Sequence, residues 1–215
     1  MAETLGCRFV LLPIEEPYTA FLSSLEEVFE GRPFDLSEEN LQARIRGTLL
    51  MAYSNKFDSM LMTTGNKSEL AMGYCTLYGD MAGALAPIGD LLKTEVFKLC
   101  HRINERSQAR GGENIIPEAT LSKPPSAELR PNQTDQDSLP PYESLDAILN
   151  LYLIENLSSA QIVERGWDAA LVQRIIKTVA QTEYKRRQAP PVIKVSPRAF
   201  GMGRRMPIAR AMHET

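Results

Sequence analysis

An open α/β fold with a parallel sheet is the class that the sequence predicts, and three observations predict it. The run Arg8-Phe9-Val10-Leu11-Leu12-Pro13-Ile14 is apolar on both faces and rich in branched residues, as suits a parallel strand covered by helices. A second apolar run, Met60-Leu61-Met62, breaks at Thr63-Thr64-Gly65 and restarts as a helix at Asn66-Lys67-Ser68-Glu69-Leu70. Between and after these runs, apolar residues recur with the spacing of amphipathic helices.

Taken in order, strand 8–14 closes at proline and is followed by a helix over 17–29, with Phe21, Leu22, Leu25, Val28 and Phe29 inward and Gly31-Arg32-Pro33 ending it. Ser37 caps the next helix, which carries two acids in its first turn. It turns Leu41, Ile45, Leu49 and Ala52 to one face as far as about residue 55, with Asn40 and Arg44 one turn apart on a neighbouring face. After the 59–80 stretch comes a small-residue loop, 79–84, and then Ile88-Gly89-Asp90 caps a helix through Leu92, Val96, Phe97, Cys100 and Ile103. Residues 108–114 read as an exposed connection, the proline-rich 123–131 as an extended path, and 133–137 as a polar lid or loop. Helices follow over 141–154, over 159–165 (ending at Gly166), and after Asp168, where the last carries the stripe Leu171, Ile175, Ile176 and Val179. From 189 to 215 proline and glycine punctuate a tail that reads as docked or ordered on binding.

At 215 residues, 43% hydrophobic and 24% charged, the composition is that of one globular domain with room for an appendage. Cys7, Cys75 and Cys100 are odd in number and lack metal-ligand spacing. They read as small buried hydrophobes in a reducing compartment, and with no basic leader the chain reads as cytoplasmic and not membrane-bound. His101 and His213 leave no room for a histidine metal site or triad, and GxSxG, HExxH, CxxC and Walker A motifs are absent. Eight basic residues from Lys185 onward against Glu214 alone put +7 on the last 31 residues and leave −10 on the rest. A basic tail behind an acidic body calls for an anionic partner: phosphates, nucleic acid or the body itself.

The turn after Met62 is where open sheets bind ligands, beyond the carboxyl ends of their strands. There Thr64 offers a hydroxyl and a backbone amide, and Glu69 a carboxylate for a cation or a ligand hydroxyl. The same turn also fits an ordinary capped strand-to-helix connection. Because residues 66–68 already supply polar caps, Glu69 is not needed as a cap, and Thr64 and Glu69 stand as the first candidates for binding.

Several short motifs occur in fixed order. They are Asn40-Leu-Gln-Ala-Arg44-Ile-Arg46, Thr64-Gly-Asn-Lys-Ser-Glu69, Tyr78-Gly79-Asp80, Lys93, Pro125-Ser126-Ala-Glu128-Leu129, Gln133-Thr-Asp-Gln-Asp137 and Glu183-Tyr184-Lys185-Arg186. This ordered set resembles the synthetase domain of NAD⁺ synthetase, closest to the glutamine-dependent form, from about residue 5 to about residue 205. The resemblance implies a Rossmann-like parallel sheet of the adenine-nucleotide alpha-hydrolase (PP-loop ATP pyrophosphatase) type, incomplete at its N-terminus. It places that partial domain at 1–188, helix-rich from 141, and the tail at 189–215.

It also implies a reaction, in which ATP adenylylates the nicotinate carboxylate of deamido-NAD⁺ and ammonia displaces AMP, with Mg²⁺ neutralising the leaving pyrophosphate. By resemblance Asn40, Arg44, Tyr74, Thr76, Tyr78 and Lys185 bind deamido-NAD⁺, and Thr64, Lys93 and Ser126 bind ATP. Glu69 serves both Mg²⁺ and the dinucleotide. Leu77 and Ala84 stand where the ammonia-using members carry a lysine and an aspartate, so those two contacts do not carry over. The family's Ser-Gly-Gly-x-Asp-Ser phosphate loop does not occur in these residues. The resemblance is therefore to a C-terminal portion, expected to be inactive in isolation. Its partners would be a glutaminase domain or the preceding part of the enzyme, and a further copy of the chain through the helix at 37–55.

Two rival readings follow from the residues. The 159–182 stretch has helix–turn–helix spacing with a basic segment behind it, but Trp167, Asp168, Ala169 and Ala170 are a poor set for reading base edges and the body is acidic. The other rival is a non-catalytic subunit of a synthetase assembly.

Overall fold

The computed structural model describes residues 1–204 and 207. His213 and the tail arginines 205 and 210 lie outside the described residues. Helices and loops build what is described: α1 (Glu15–Phe29), α2 (Leu36–Phe57), α3 (Lys67–Met72), α4 (Lys93–Gln108), α5 (Glu118–Ser122), α6 (Tyr142–Leu149), α7 (Ser159–Glu164), α8 (Ala169–Gln181) and α9 (Glu183–Arg186).

The Rossmann-like parallel sheet of the α/β prediction is absent among the described residues. Three isolated parallel bridges stand in its place: Met62 with Leu85, Ala86 with Val192, and Phe200 with Arg204. At the first, the Thr63 amide donates to the Leu85 carbonyl and the Ala84 amide to that of Leu61, each at 2.9 Å. The reason is pairing rather than composition. A strand needs a neighbour along its length to satisfy its N–H and C=O groups. Residues 7–14 find none and adopt no regular structure, with Phe9 and Leu11 each 76% exposed.

The core forms where helical stripes meet. The α8 stripe expected from the sequence is largely buried, and Val172 joins Ile175, Ile176 and Val179 there, while Leu171 is half-buried. They pack with Leu145, Ile148 and Leu149 of α6, Leu153, Ile162 of α7, and Leu70 and Met72 of α3. Asp168 caps α8 as expected, its Oδ1 accepting from the Leu171 amide at 2.8 Å. The helix expected over 141–154 is α6 followed by a wider π-type turn, Asn150–Ile154.

Several local expectations change. Asp35, not Ser37, caps α2: its carboxylate accepts from the Ser37 amide, and Glu38 returns a carboxylate to the Asp35 amide at 2.8 Å. Within α2, Ile45 is buried, Leu41 and Leu49 are half-buried and Ala52 is exposed. No residue of α1 is buried, and Phe21 and Val28, expected inward, are exposed. Asp90 does not cap α4; Glu95 does, accepting from the Leu92 amide at 2.7 Å. Within 133–137 the residues Asp135–Asp137 form a single 3₁₀ turn pinned by buried Asp135, which accepts from the Tyr142 hydroxyl at 2.6 Å. None of the three cysteines is fully buried: Cys7 is exposed, and Cys75 and Cys100 are half-buried. No described helix is long and apolar enough to cross a membrane.

Candidate functional site

The first turn of α3 presents Glu69, and Thr64 lies in the segment that precedes the helix. Asn66 Oδ1 accepts from the Glu69 amide at 3.0 Å, and Glu69 Oε2 accepts from the Asn66 amide at 3.1 Å. Glu69 is thus itself half of the cap, contrary to the expectation that the cap left it free. Its other oxygen, Oε1, lies 2.9 Å from Lys93 Nζ, with each side chain 18% exposed. Lys93 also sits over the Tyr142 ring, 5.3 Å from its centroid. The predicted Mg²⁺ ligand and a predicted ATP contact therefore neutralise one another here.

Thr64 stands apart from that pair. It is exposed and, with Thr76, lines a cavity of about 350 Å³ that also meets Arg46, Asp80, Leu61 and Ala127. That volume lies in the range of small-molecule sites. Thr76 is held from two sides: its amide donates to Asp80 Oδ1 at 2.6 Å, and its hydroxyl to Asn40 Oδ1 at 2.8 Å. The Asp80 side chain partly reaches solvent. Even so, desolvation by the surrounding loop raises its carboxyl above the usual value; the Glu69 charge adds to this, and the Thr76 amide and Lys185 oppose it.

The loop 73–80 draws in most of the other predicted residues. Arg44 Nε donates to the Leu77 carbonyl at 3.2 Å. Lys185 Nζ donates at 2.7 Å to both the Gly73 and Cys75 carbonyls, securing the end of α3. Tyr78, at φ 63° and 68% exposed, donates its hydroxyl to Gln188 Oε1 at 2.8 Å. The close approach of α2 depends on Gly47, where a Cβ would meet the Gly79 carbonyl oxygen at 2.8 Å. Ser126 is half-buried and accepts from the Glu128 amide at 3.0 Å; it is next to Ala127 of the cavity wall.

Tyr74 points elsewhere in the same neighbourhood. Burial first, and then the Asp135 carboxylate, push its hydroxyl up to about 12. Tyr142 is raised in the same way, by burial and then by its hydrogen bond to Asp135. Asp135, to which the sequence motifs assign no role, is the carboxylate that both tyrosines face. The sequence signal for it was two acids in a polar segment directly before a helix. Arg46 and Asp80, which belong to the ordered motifs without an assigned role, line the cavity with Thr64 and Thr76. Among the described residues no group of three or more His, Cys, Asp or Glu could hold a metal ion. Glu69 would offer a cation one carboxylate, and only if Lys93 moved aside.

The structure therefore gathers Thr64 and Thr76 about one cavity, with Asn40 holding Thr76 from behind, Glu69 and Lys93 into one ion pair, and Arg44, Tyr78 and Lys185 onto the intervening loop. Comparison with known proteins agrees on kinship. The chain is 50% identical over 213 residues to a glutamine-dependent NAD(+) synthetase of Synechocystis sp., a match covering 99% of this chain and 37% of that protein. It thus spans little more than a third of the length of that relative. Among solved structures, the glutamine-dependent NAD⁺ synthetase of Acinetobacter baumannii in complex with adenosine diphosphate is 42% identical, with a TM-score of 0.55 over 96% of this chain and 36% of that one. That of Cytophaga hutchinsonii, at 24% identity and TM-score 0.72 over 98% of this chain and 35% of that one, shares the fold. Residues 1–189 match the NAD synthase family, and the chain belongs to it.

Proposed function

We propose that this chain is the synthetase-side portion of a glutamine-dependent NAD⁺ synthetase, acting on ATP, deamido-NAD⁺ and ammonia. Support comes from the family match, and from the cavity that the Thr64 and Thr76 hydroxyls share a short stretch of chain away from the Glu69–Lys93 pair. That sequence of features carries the reading: a mainly apolar cavity edged by Thr64, Thr76, Arg46 and Asp80, and five residues along the chain from Thr64 a carboxylate paired with an ammonium able to meet phosphates. The adenosine diphosphate bound by the Acinetobacter baumannii relative points to the same ligand class.

In this reading the carboxylate oxygen of deamido-NAD⁺ attacks the α-phosphorus of ATP and pyrophosphate leaves. Ammonia then adds to the activated carbonyl carbon, gives up a proton, and AMP departs. Thr64, Lys93 and Ser126 bind ATP, while Asn40, Arg44, Tyr74, Thr76 and Tyr78 bind deamido-NAD⁺. Lys185 acts through the loop that it holds at Gly73 and Cys75. Mg²⁺ would supply charge neutralisation at the phosphates; Glu69 fits as its single protein carboxylate, since magnesium commonly takes one or two carboxylates and fills its shell with phosphate and water. Lys93 would be the residue to exchange Glu69 for a phosphate, and the Glu69 carboxylate so released would be the one to hold the cation. A cytoplasmic location, with Cys7, Cys75 and Cys100 unpaired, and assembly with a glutaminase domain and a second copy of the chain belong to the same proposal.

The test separates the two duties of Glu69. In Glu69→Gln the amide oxygen still accepts from the Asn66 amide, so the cap survives, and loss of the charge opposite Lys93 is expected to cost about 1 kcal/mol. Calorimetric titration of ADP with and without Mg²⁺ is then expected to show Mg²⁺-strengthened binding to the original chain that Glu69→Gln weakens about tenfold, or about 1.4 kcal/mol. No binding of ADP to the original chain, or binding to both with equal dependence on Mg²⁺, refutes the reading.

A further inference from the structure

Lys67 follows Thr64-Gly65-Asn66 directly, yet it is 1% exposed. Its three ammonium hydrogens meet three acceptors: Asp90 Oδ1 at 2.7 Å, Ser196 Oγ at 2.8 Å and the Arg198 carbonyl at 2.9 Å. Asp90 is filled from the same side. Its Oδ1 also accepts from the Ser196 hydroxyl at 2.8 Å, and its Oδ2 accepts the amides of Val195 at 2.8 Å and Ser196 at 2.6 Å. Further back, Val192 bridges Ala86, with the Ala86 amide donating to the Pro191 carbonyl at 2.9 Å. Gly89 admits Val192 so closely that a Cβ there would meet Val192 Cγ1 at 2.5 Å.

Burying a lysine and an aspartate together yields little net stability, because desolvation offsets most of their attraction. Such a pair is better placed to fix one arrangement among several. Here it fixes residues 191–198, more than a hundred positions along the chain, to the peptide that carries Thr64 on one side of Lys67 and Glu69 on the other. The Lys67 amide is bound as well, donating to the Leu91 carbonyl at 2.8 Å.

We infer that residues 191–198 are a strap, and that Lys67, Asp90 and Ser196 are positioning residues through which the strap holds Thr64 and Glu69 in place for nucleotide. The ligand side of this inference rests on the function proposed above. Strap docking and nucleotide binding are then linked, each strengthening the other by the same factor.

Ser196→Ala tests this in the 215-residue chain. It removes one hydroxyl from the latch and leaves the strap backbone amides on Asp90. Hydrogen exchange at the amides of Asn66 and Glu69, which hydrogen-bond within the α3 cap, is expected to rise about tenfold, while exchange in α8 is unchanged. ADP affinity falls about tenfold, and Ser196→Thr, which keeps the hydroxyl, restores both. Unchanged exchange at 66 and 69 overturns the inference, as does equal acceleration in α8, which marks global loosening. Accelerated exchange at 66 and 69 with unaltered ADP affinity overturns it too. If the original chain binds no ADP, the proposed function falls, and the exchange result alone decides whether the strap positions the turn.

Discussion

Residues 1–58 and 63–200 have much the same apolar pattern and very different fates. In the first region α1 buries no residue, α2 buries only Glu38, Ala43, Ile45 and Gly47, and Phe9, Leu11 and Val28 are more than two-thirds exposed. In the second, Leu145, Ile148, Leu149, Val172, Ile175 and Val179 are completely buried. The two regions differ in whether an opposing surface exists. An amphipathic period says which face of an element is apolar; burial needs something on the other side. For α8 that is α6, α7 and α3, whereas α1 has α2 as its main contact.

The largest effect that tests this contrast is a pair of truncations. Leu145→Ala leaves a cavity among fully buried neighbours and is expected to cost about 2–5 kcal/mol in urea unfolding. Val28→Ala, at a side chain 71% exposed, is expected to change stability by less than about 0.5 kcal/mol. Comparable losses at the two sites would show that the first region has a packed partner in solution.

Acid sharpens the view of the second region, because two of its buried carboxylates, Asp90 and Asp146, move in opposite directions. At Asp90 burial would raise the carboxyl, but the Lys67 ammonium, the amides of Ser196 and Val195 and the Ser196 hydroxyl together bring it below the ordinary 3.8. At Asp146 burial wins, and the carboxyl lies above 3.8 despite hydrogen bonds from Ser68 and the Thr94 amide. Asp90 therefore contributes stability that is complete above pH 3.8 and is lost as pH falls through its lower folded value. Asp146 does the reverse: its charge costs stability above its raised folded value, and the cost is relieved as pH falls from there towards 3.8. Urea unfolding across pH 3–6 should show Asp146→Asn removing the relief above 3.8 and Asp90→Asn removing the loss below it. Identical profiles for both variants would mean that the two sites are not ionised as described.

Helix caps give the next step down. Asp35→Ala at α2 and Asn66→Ala at α3 each remove one side of a capping box and are each expected to cost about 1 kcal/mol. The two should differ in reach. Loss of the Asp35 cap frays an exposed helix end, whereas loss of the Asn66 cap also frees a Glu69 amide beside the Lys93 ion pair and weakens ADP binding. Nucleotide affinity that follows Asp35 and ignores Asn66 would place the ligand on the first region.

What the sequence made legible was local. The α8 stripe and its Asp168 cap, and the helix start at Asn66, depend on neighbours within a few positions. The α2 cap was legible in principle, since Asp35 precedes Glu38 by three residues, but Ser37 competed for the same role. Strand 8–14 was misread because apolar character announces burial without announcing a pairing partner. Asp90 sits where caps sit, and what claims it is a lysine 23 residues away and a serine 106 residues away. The candidate site divides in the same way. The order of motifs pointed to Thr64, Glu69 and Thr76, whereas the grip of Lys185 on Gly73 and Cys75 and the placing of Asp135 between Tyr74 and Tyr142 exist only in three dimensions.

The smallest predicted effect is chemical and leaves the fold intact. Iodoacetamide attacks thiolates, so labelling at a given pH follows exposure and thiol pKa. Cys7 lies exposed in the first region, and Cys75 lies in the loop that Lys185 grips. Burial first, then the Asp80 charge, push the Cys75 thiol up to about 12; Glu69 adds a smaller push, and Lys185 and Arg186 oppose it. Cys100 is raised by burial alone. At pH 8 mass spectrometry should therefore find Cys7 alkylated first and Cys75 last. Lys185→Met removes a cation that lowers the Cys75 pKa, and it also removes the two hydrogen bonds that hold the loop closed. If electrostatics governs Cys75, the variant labels more slowly still; if access governs it, the loop opens and labelling accelerates. Acceleration is the expected result, because two 2.7 Å hydrogen bonds from one half-buried lysine restrain the loop more directly than its charge shifts a thiol already near 12.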